Sequence, residues 1–240
     1  MNTAVILCAG FGTRLKGYTE NLPKPMLTAG NKPILEYTIR HLAGLNIRNV
    51  IINLHYLPAR ITSYFRDGGE WGVKIRYSYE KRILGTAGAV KKVESVLSKE
   101  KYFLVLHGDV IYSGNYLDLL AFHRGKRDAV GSIVVHRRKG SNSALEMDGN
   151  GRITKFVERP KKRNPGKKEM WVNSGLYCFS REVLNHIPEE GFSDFPQDIF
   201  PLLVKEGRLY GYPIEGYRCA VDSPGRYALL REDAEKGLLK

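Results

Sequence analysis

Short apolar runs alternate with amphipathic stretches through the first half of the chain. Thr3–Cys8, Val50–Asn53, Lys74–Ser78 and Tyr102–Leu106 read as strands. Between them, Ile34–Leu45, Pro58–Arg66 and Thr86–Leu97 carry helical patterns. Strands alternating with helices predict a parallel sheet covered on both faces. Such sheets take their ligands beyond the carboxyl ends of the strands. The loops after Cys8, Asn53, Ser78 and Leu106 are therefore where chemistry is expected.

The second half changes character. Val130–His136, Ala144–Met147, Ile153–Glu158 and Trp171–Phe179 read as strands joined by turns such as Asp148-Gly149-Asn150-Gly151. A helical pattern at Gln197–Glu206, a strand at Leu209–Ile214 and a last helix from about Pro224 follow. No internal repeat is visible, and no hexapeptide β-helix repeat begins before the end of the sequence. The pattern predicts one α/β domain with a mixed sheet, its second half adding a lid-like substrate region.

Composition narrows the class. The 240 residues allow one large domain or two small ones. At 42% hydrophobic and 26% charged, the chain can bury a full core without metal or disulfide help. Its three cysteines, Cys8, Cys178 and Cys219, lack CxxC spacing and lie in or beside apolar runs. They read as buried packing residues, against a disulfide scaffold or a structural zinc site. The six histidines show no HxxxH or HExxH pair. The apolar start MNTAVILCAG is too short to span a membrane and lacks a basic flank, so a cytoplasmic location with no membrane partner is expected.

The net charge of +13 points to an anionic partner without naming it. Over half of it, +7, falls between Arg137 and Met170. There the segment Pro160–Glu169 contains Lys161, Lys162, Arg163, Lys167 and Lys168 and follows Arg159. Its prolines and glycine predict an exposed loop, either a solvated turn or a contact for an anion.

The loop after the first strand carries the clearest chemistry. Leu7-Cys8-Ala9-Gly10-Phe11-Gly12-Thr13-Arg14 leads to Thr19 and then Pro23-Lys24-Pro25-Met26. Glycines let backbone N–H groups approach a ligand, and Arg14 and Lys24 supply charge-assisted donors to phosphate oxygens. The dinucleotide fingerprint fails because Leu15 stands where it needs glycine. The P-loop fails because Tyr18 follows Gly17. What remains is a Gly-rich loop with an arginine, then a lysine braced by prolines.

These residues resemble the signature of the sugar-1-phosphate nucleotidyltransferases, the NDP-sugar pyrophosphorylases. The resemblance runs on through Asn31-Lys32-Pro33-Ile34-Leu35-Glu36-Tyr37 and Leu84-Gly85-Thr86-Ala87-Gly88-Ala89. It continues at His107-Gly108-Asp109, Val157-Glu158-Arg159-Pro160 and Asn173-Ser174-Gly175-Leu176-Tyr177. It is nearest in look to guanylyltransferases for mannose- or heptose-1-phosphate. It implies one domain over 1–240, Rossmann-like and GT-A-like, with a mixed, mainly parallel sheet flanked by helices. Residues 1–125 would be the nucleotide-binding half. Residues 126–240 would be the sugar-phosphate-binding half, with a small substrate-binding β region.

The resemblance implies transfer of a nucleotidyl group from an NTP, GTP favoured, to a sugar-1-phosphate, with Mg²⁺ as cofactor. Arg14, Lys24 and Asp109 would be catalytic. Leu7, Ala9, Gly10, Gly12, Thr13, Gly85, Thr86 and Gly88 would bind the nucleotide. Glu158, Arg159 and Asn173 would bind the sugar phosphate. Asp109 and Asp222 would hold the metal, Asp222 being alternatively the N-cap of the last helix. Asn142-Ser143 stands where the family has Tyr-Gly, and Arg159 where it has lysine, so the sugar stays open. Cytidylyl, uridylyl or thymidylyl transfer to a sugar phosphate or other phosphorylated small molecule is the alternative, as is a non-catalytic nucleotide-sensing relative. That relative would be expected to lose Arg14, Lys24 or Asp109, and all three are present. A glycosyltransferase would carry Asp-x-Asp, whereas Asp109-Val110-Ile111 does not. No motif supports a nucleic-acid partner. A homodimer is left open.

Overall fold

Five residues of the opening apolar run, Thr3–Leu7 (β1), form a buried strand because both faces of a parallel sheet are covered. The computed structural model describes residues 2–139, 141, 143–158 and 169–239, and the other elements follow in chain order. A two-residue ladder, Thr28–Ala29 (β2) and Lys32–Pro33 (β3), leads into helix Ile34–Gly44 (α1). Next come Asn49–Leu54 (β4), Pro58–Phe65 (α2), Lys74–Tyr79 (β5), Gly85–Lys91 (α3) and Glu94–Leu97 (α4). Tyr102–His107 (β6), Val110–Tyr112 (β7), Tyr116–Gly125 (α5) and Gly131–Lys139 (β8) carry the chain onward. Ala144–Met147 (β9), Ile153–Val157 (β10) and Glu169–Ser180 (β11) follow. Phe200–Lys205 (α6), Leu209–Pro213 (β12), Arg218–Ala220 (β13) and Pro224–Glu235 (α7) complete the described chain.

Contacts divide the chain into two units. The first comprises residues 1–83, 106–116 and 215–240. In it β4 lies between β1 and β5, all parallel, with Val5 opposite Ile51 and Ile51 opposite Arg76. An apolar cluster joins Leu15, Leu27, Ile34, Ile111, Val221 and Leu230. It seats α1 and α7 against the short β7–β13 ladder. That ladder matters because Asp109 directly precedes β7 and Asp222 lies just past β13.

The second unit comprises residues 84–105 and 117–214. Its sheet is mixed: β8 pairs antiparallel with β11 and parallel with β12, while β9 pairs antiparallel with both β10 and β11. Phe179 and Phe195 stack at 4.7 Å, and beside them Tyr177 and Phe200 meet edge-on. The fold is thus the expected Rossmann-like α/β class with a mixed, mainly parallel sheet and flanking helices.

Three expectations need correction. The Thr86–Leu97 helix is two, α3 and α4, because Val93 leaves helical geometry at φ −108°, ψ 20°. The Gln197–Glu206 helix opens two residues early as a wide π turn over Phe195–Ile199. Pro201 cannot donate a backbone hydrogen bond, and Phe200 N–H reaches back five residues to the Phe195 carbonyl. Elements β2, β3, β7, α5 and β13 were not expected at all. Among the described residues no helix is long and apolar enough to cross a membrane.

Candidate active site

The Gly-rich loop is fixed by its own hydroxyl and backbone groups. Gly12 has φ +69°, a region that L side chains rarely adopt. A Cβ there would also stand 3.1 Å from Thr19 Cγ2. Thr19 Oγ1 donates to the carbonyls of Gly12 and Leu15 at 3.1 and 3.2 Å. Leu15, fully buried, anchors the turn in the core while Gly10, Thr13 and Arg14 face solvent. The loop therefore presents backbone and a guanidinium outward from a rigid base.

Lys24 lies in one turn of 3₁₀ helix, Lys24–Met26, entered through Pro23 in extended geometry. Its ammonium forms an ion pair with Asp109 Oδ2. The two are 85 positions apart in sequence. Burial alone would raise the Asp109 carboxyl, but the Lys24 and His107 charges outweigh it and hold the carboxyl below the usual carboxylate range. The pairing joins the two residues expected to face the reacting phosphates and the metal.

Asp222 is carried toward the same place by the backbone: Val221 N–H donates to the Asp109 carbonyl at 3.0 Å. The helix-cap alternative for Asp222 is not what forms. Ser223 caps α7, its Oγ accepting from Arg226 N–H at 3.4 Å. Asp222 instead faces Arg226 Nε at 3.5 Å. Among the described residues, no group of three or more His, Cys, Asp or Glu side chains could hold a metal ion. Two carboxylates still suit Mg²⁺, which keeps several waters and takes its other oxygens from substrate phosphates.

Arg218 was missed by sequence reasoning. Burial and the Arg226 charge push its guanidinium down to about 10, against the opposing pull of Asp109 and Asp222. Arg218 thus belongs to the electrostatics of this carboxylate pair. Nothing in its local sequence, a short Arg-Cys-Ala strand, marks it.

At the carboxyl ends of β1, β4 and β5 lies a second missed group. Asn53 Oδ1 accepts from Cys8 N–H at 2.6 Å, and Asn53 Nδ2 donates to Glu80 Oε1 at 2.7 Å. Both side chains are buried. Together they fix the Leu7–Ala9 backbone at the start of the Gly-rich loop. Cys8 is packing, as expected: burial, then the Asp109 charge, push its thiol up, so it is no nucleophile at neutral pH.

The remaining expected residues belong to the second unit. Gly85, Thr86 and Gly88 form the start of α3. Asn173 sits where the β11–β8 register breaks, between Asn173 opposite Val135 and Tyr177 opposite Ile133. Its Oδ1 accepts from Gly175 N–H and its Nδ2 donates to the Tyr177 hydroxyl, both at 2.9 Å. Irregularities of this kind re-aim side chains beside functional sites. Glu158 is half-buried just past β10. Arg159, Pro160–Lys168 and Asn142 lie outside the described residues.

Comparison with known proteins adds lineage to this geometry. A family model described as nucleotidyl transferase matches residues 3–217. A mannose-1-phosphate guanyltransferase of Aspergillus oryzae is 34% identical over 227 residues, covering 92% of this chain and 61% of its own length. A UTP–glucose-1-phosphate uridylyltransferase of Synechocystis is 34% identical over 218 residues, covering 85% of this chain and 55% of its own. The chain thus spans about three-fifths of the length of the curated relatives it matches. A crystal structure of HddC from Yersinia pseudotuberculosis superposes with a TM-score of 0.82 at 23% identity, covering 97% of this chain and 99% of that one.

Proposed function

Because the chain belongs to the nucleotidyl transferase family, we propose that it transfers a nucleotidyl group from GTP to a sugar-1-phosphate, releasing pyrophosphate. The phosphate oxygen of the sugar-1-phosphate attacks the α-phosphorus in line. The α–β bridging bond breaks, and pyrophosphate carries away its electron pair. Little acid–base work is required, so positioning and charge neutralisation dominate. Lys24 binds the α-phosphate and the incoming phosphate. Arg14 steadies the departing β- and γ-phosphates. The Gly10–Thr13 backbone lies against the triphosphate. Leu7, Ala9 and the Gly85–Gly88 segment contact the base, and Glu158, Arg159 and Asn173 contact the sugar phosphate.

Asp109 and Asp222 are the residues that would hold Mg²⁺. When bound, the ion supplies further neutralisation of phosphate charge. The observation that carries this reading is the Lys24–Asp109 ion pair, which keeps the ammonium and the carboxylate together at the end of the strand-end loop. GTP is favoured because guanyltransferases are among the relatives; the Synechocystis uridylyltransferase keeps UTP as the second reading.

A pyrophosphate-release screen of four NTPs against a panel of sugar-1-phosphates with Mg²⁺ tests the proposal. Release with GTP and one hexose- or heptose-1-phosphate is expected. Release with UTP alone would move the base assignment, and no release with any pair would remove the enzymatic reading.

A further inference from the structure

The first turn of α3 is held by residues over a hundred positions away in sequence. The Ser193 carbonyl accepts from the N–H groups of Ala87 and Gly88 at 3.0 Å each, and Ser193 N–H donates to the Leu84 carbonyl at 2.9 Å. Asp194 completes the grip. Its Oδ1 accepts from the Thr86 hydroxyl at 2.5 Å and from Thr86 N–H at 3.3 Å. Thr86 Oγ1 in turn accepts from Phe195 N–H at 2.8 Å. Asp198 anchors the strap from behind, its Oδ2 accepting from Asp194 N–H at 2.7 Å. Gly85 belongs to the same device: it has φ +77°, and a Cβ there would run into the Ser193 carbonyl. The strap closes on this segment only because glycine stands there.

This arrangement decides how the segment can act. Exposed amides at a helix start would attract phosphate. Here the amides of Thr86, Ala87 and Gly88 already have acceptors within the protein. Recognition at this segment therefore rests on the shape of its backbone, and that shape is set by the strap. The Thr86–Asp194 contact is the part made by side chains, so it is the part a substitution can remove. A carboxylate acceptor also makes it stronger than a neutral bond.

We infer that Asp194 is a positioning residue for nucleotide recognition, acting through Thr86 to fix the Gly85–Gly88 backbone against which the base is read. The inference rests on the nucleotidyl-transfer reading above and adds to it a residue outside the family motifs quoted.

Four variants test it: Asp194→Ala, Asp194→Asn, Thr86→Val and Thr86→Ser. Asp194→Ala and Thr86→Val are expected to raise KM for GTP about tenfold or more, the scale of losing a charged hydrogen bond. KM for the sugar-1-phosphate and kcat should stay within about twofold of the parent. Asp194→Asn and Thr86→Ser keep an acceptor and a hydroxyl and should recover most of the loss. Amide exchange at Thr86–Gly88 should quicken in Asp194→Ala. An unchanged KM for GTP overturns the inference. So does unchanged exchange, or a rise of both KM values together with a fall in kcat. If the parent protein releases no pyrophosphate from any NTP, the nucleotidyl-transfer reading fails by itself. Calorimetric binding of GTP then decides the inference: weaker binding by Asp194→Ala supports it, while equal binding, or no binding by the parent, overturns it.

Discussion

Two side chains, Lys24 and Asp109, form the ion pair at the centre of the candidate site. Asp109→Asn keeps the size of the side chain and removes its charge. It should abolish Mg²⁺-dependent pyrophosphate release and also lower the melting temperature, because the largely buried Lys24 ammonium loses its partner. Full activity in this variant would end the metal assignment. Lys24→Ala should lower kcat by about 10²-fold or more, the usual scale of losing one donor that acts in the transition state. A rate equal to the parent's would take Lys24 out of the mechanism. Both residues were legible in the sequence because each sits in a short motif with a distinctive neighbourhood: prolines around Lys24, and a strand end before Asp109. Arg218 and the Asn53–Glu80 pair were not. Their significance comes from contacts across strands, 45 residues apart for Cys8 and Asn53 and 27 for Asn53 and Glu80. No local spacing encodes such contacts.

Elements were readable where one periodicity held over a whole segment, as in β1, β4, β5, α1 and α2. They were missed where the segment was too short or where backbone chemistry intervened. The ladder of β7 and β13 has three residues a side, below the length at which alternation can be recognised. The wide turn before α6 closes through a hydrogen bond from Phe200 N–H back to the Phe195 carbonyl, a local exception that the helical pattern hides. Two predictions belong to this scale. Gly12→Ala forces a Cβ into left-handed geometry and against Thr19. It should destabilise the loop by about 1 kcal/mol or more and raise KM for the NTP, as read by thermal melts and steady-state kinetics. Helix α5 carries the second. His123 is buried with Nδ1 at 2.9 Å from Ser132 Oγ, and burial pushes its pKa down from 6.5 to about 4. The unfolded chain therefore takes up a proton at this residue before the folded one does. Its stability contribution is complete above pH 6.5 and declines as pH falls toward 4, by about 3 kcal/mol in total. His123→Phe should flatten the pH dependence of unfolding in that window. An unchanged slope would show that other groups govern it.

Of the net +13, the +7 between Arg137 and Met170 lies away from Lys24 and Arg14 in sequence. Part of it has a packing role: the Arg137 guanidinium lies 4.1 Å from the centre of the Trp171 ring. The excess should therefore act as a diffuse field on the two polyanionic substrates proposed, raising their encounter rate without changing the chemistry once they are bound. Screening separates the two effects, since the Debye length is about 10 Å at 0.1 M salt and about 3 Å at 1 M. With rising KCl, kcat/KM for GTP should fall severalfold while kcat at saturation stays nearly constant. The close Lys24–Asp109 pair is screened far less than charges separated by solvent, which is why the saturated rate should hold. A kcat that fell in step with kcat/KM would place the salt effect inside the site, and the surface field would then have no part in substrate capture.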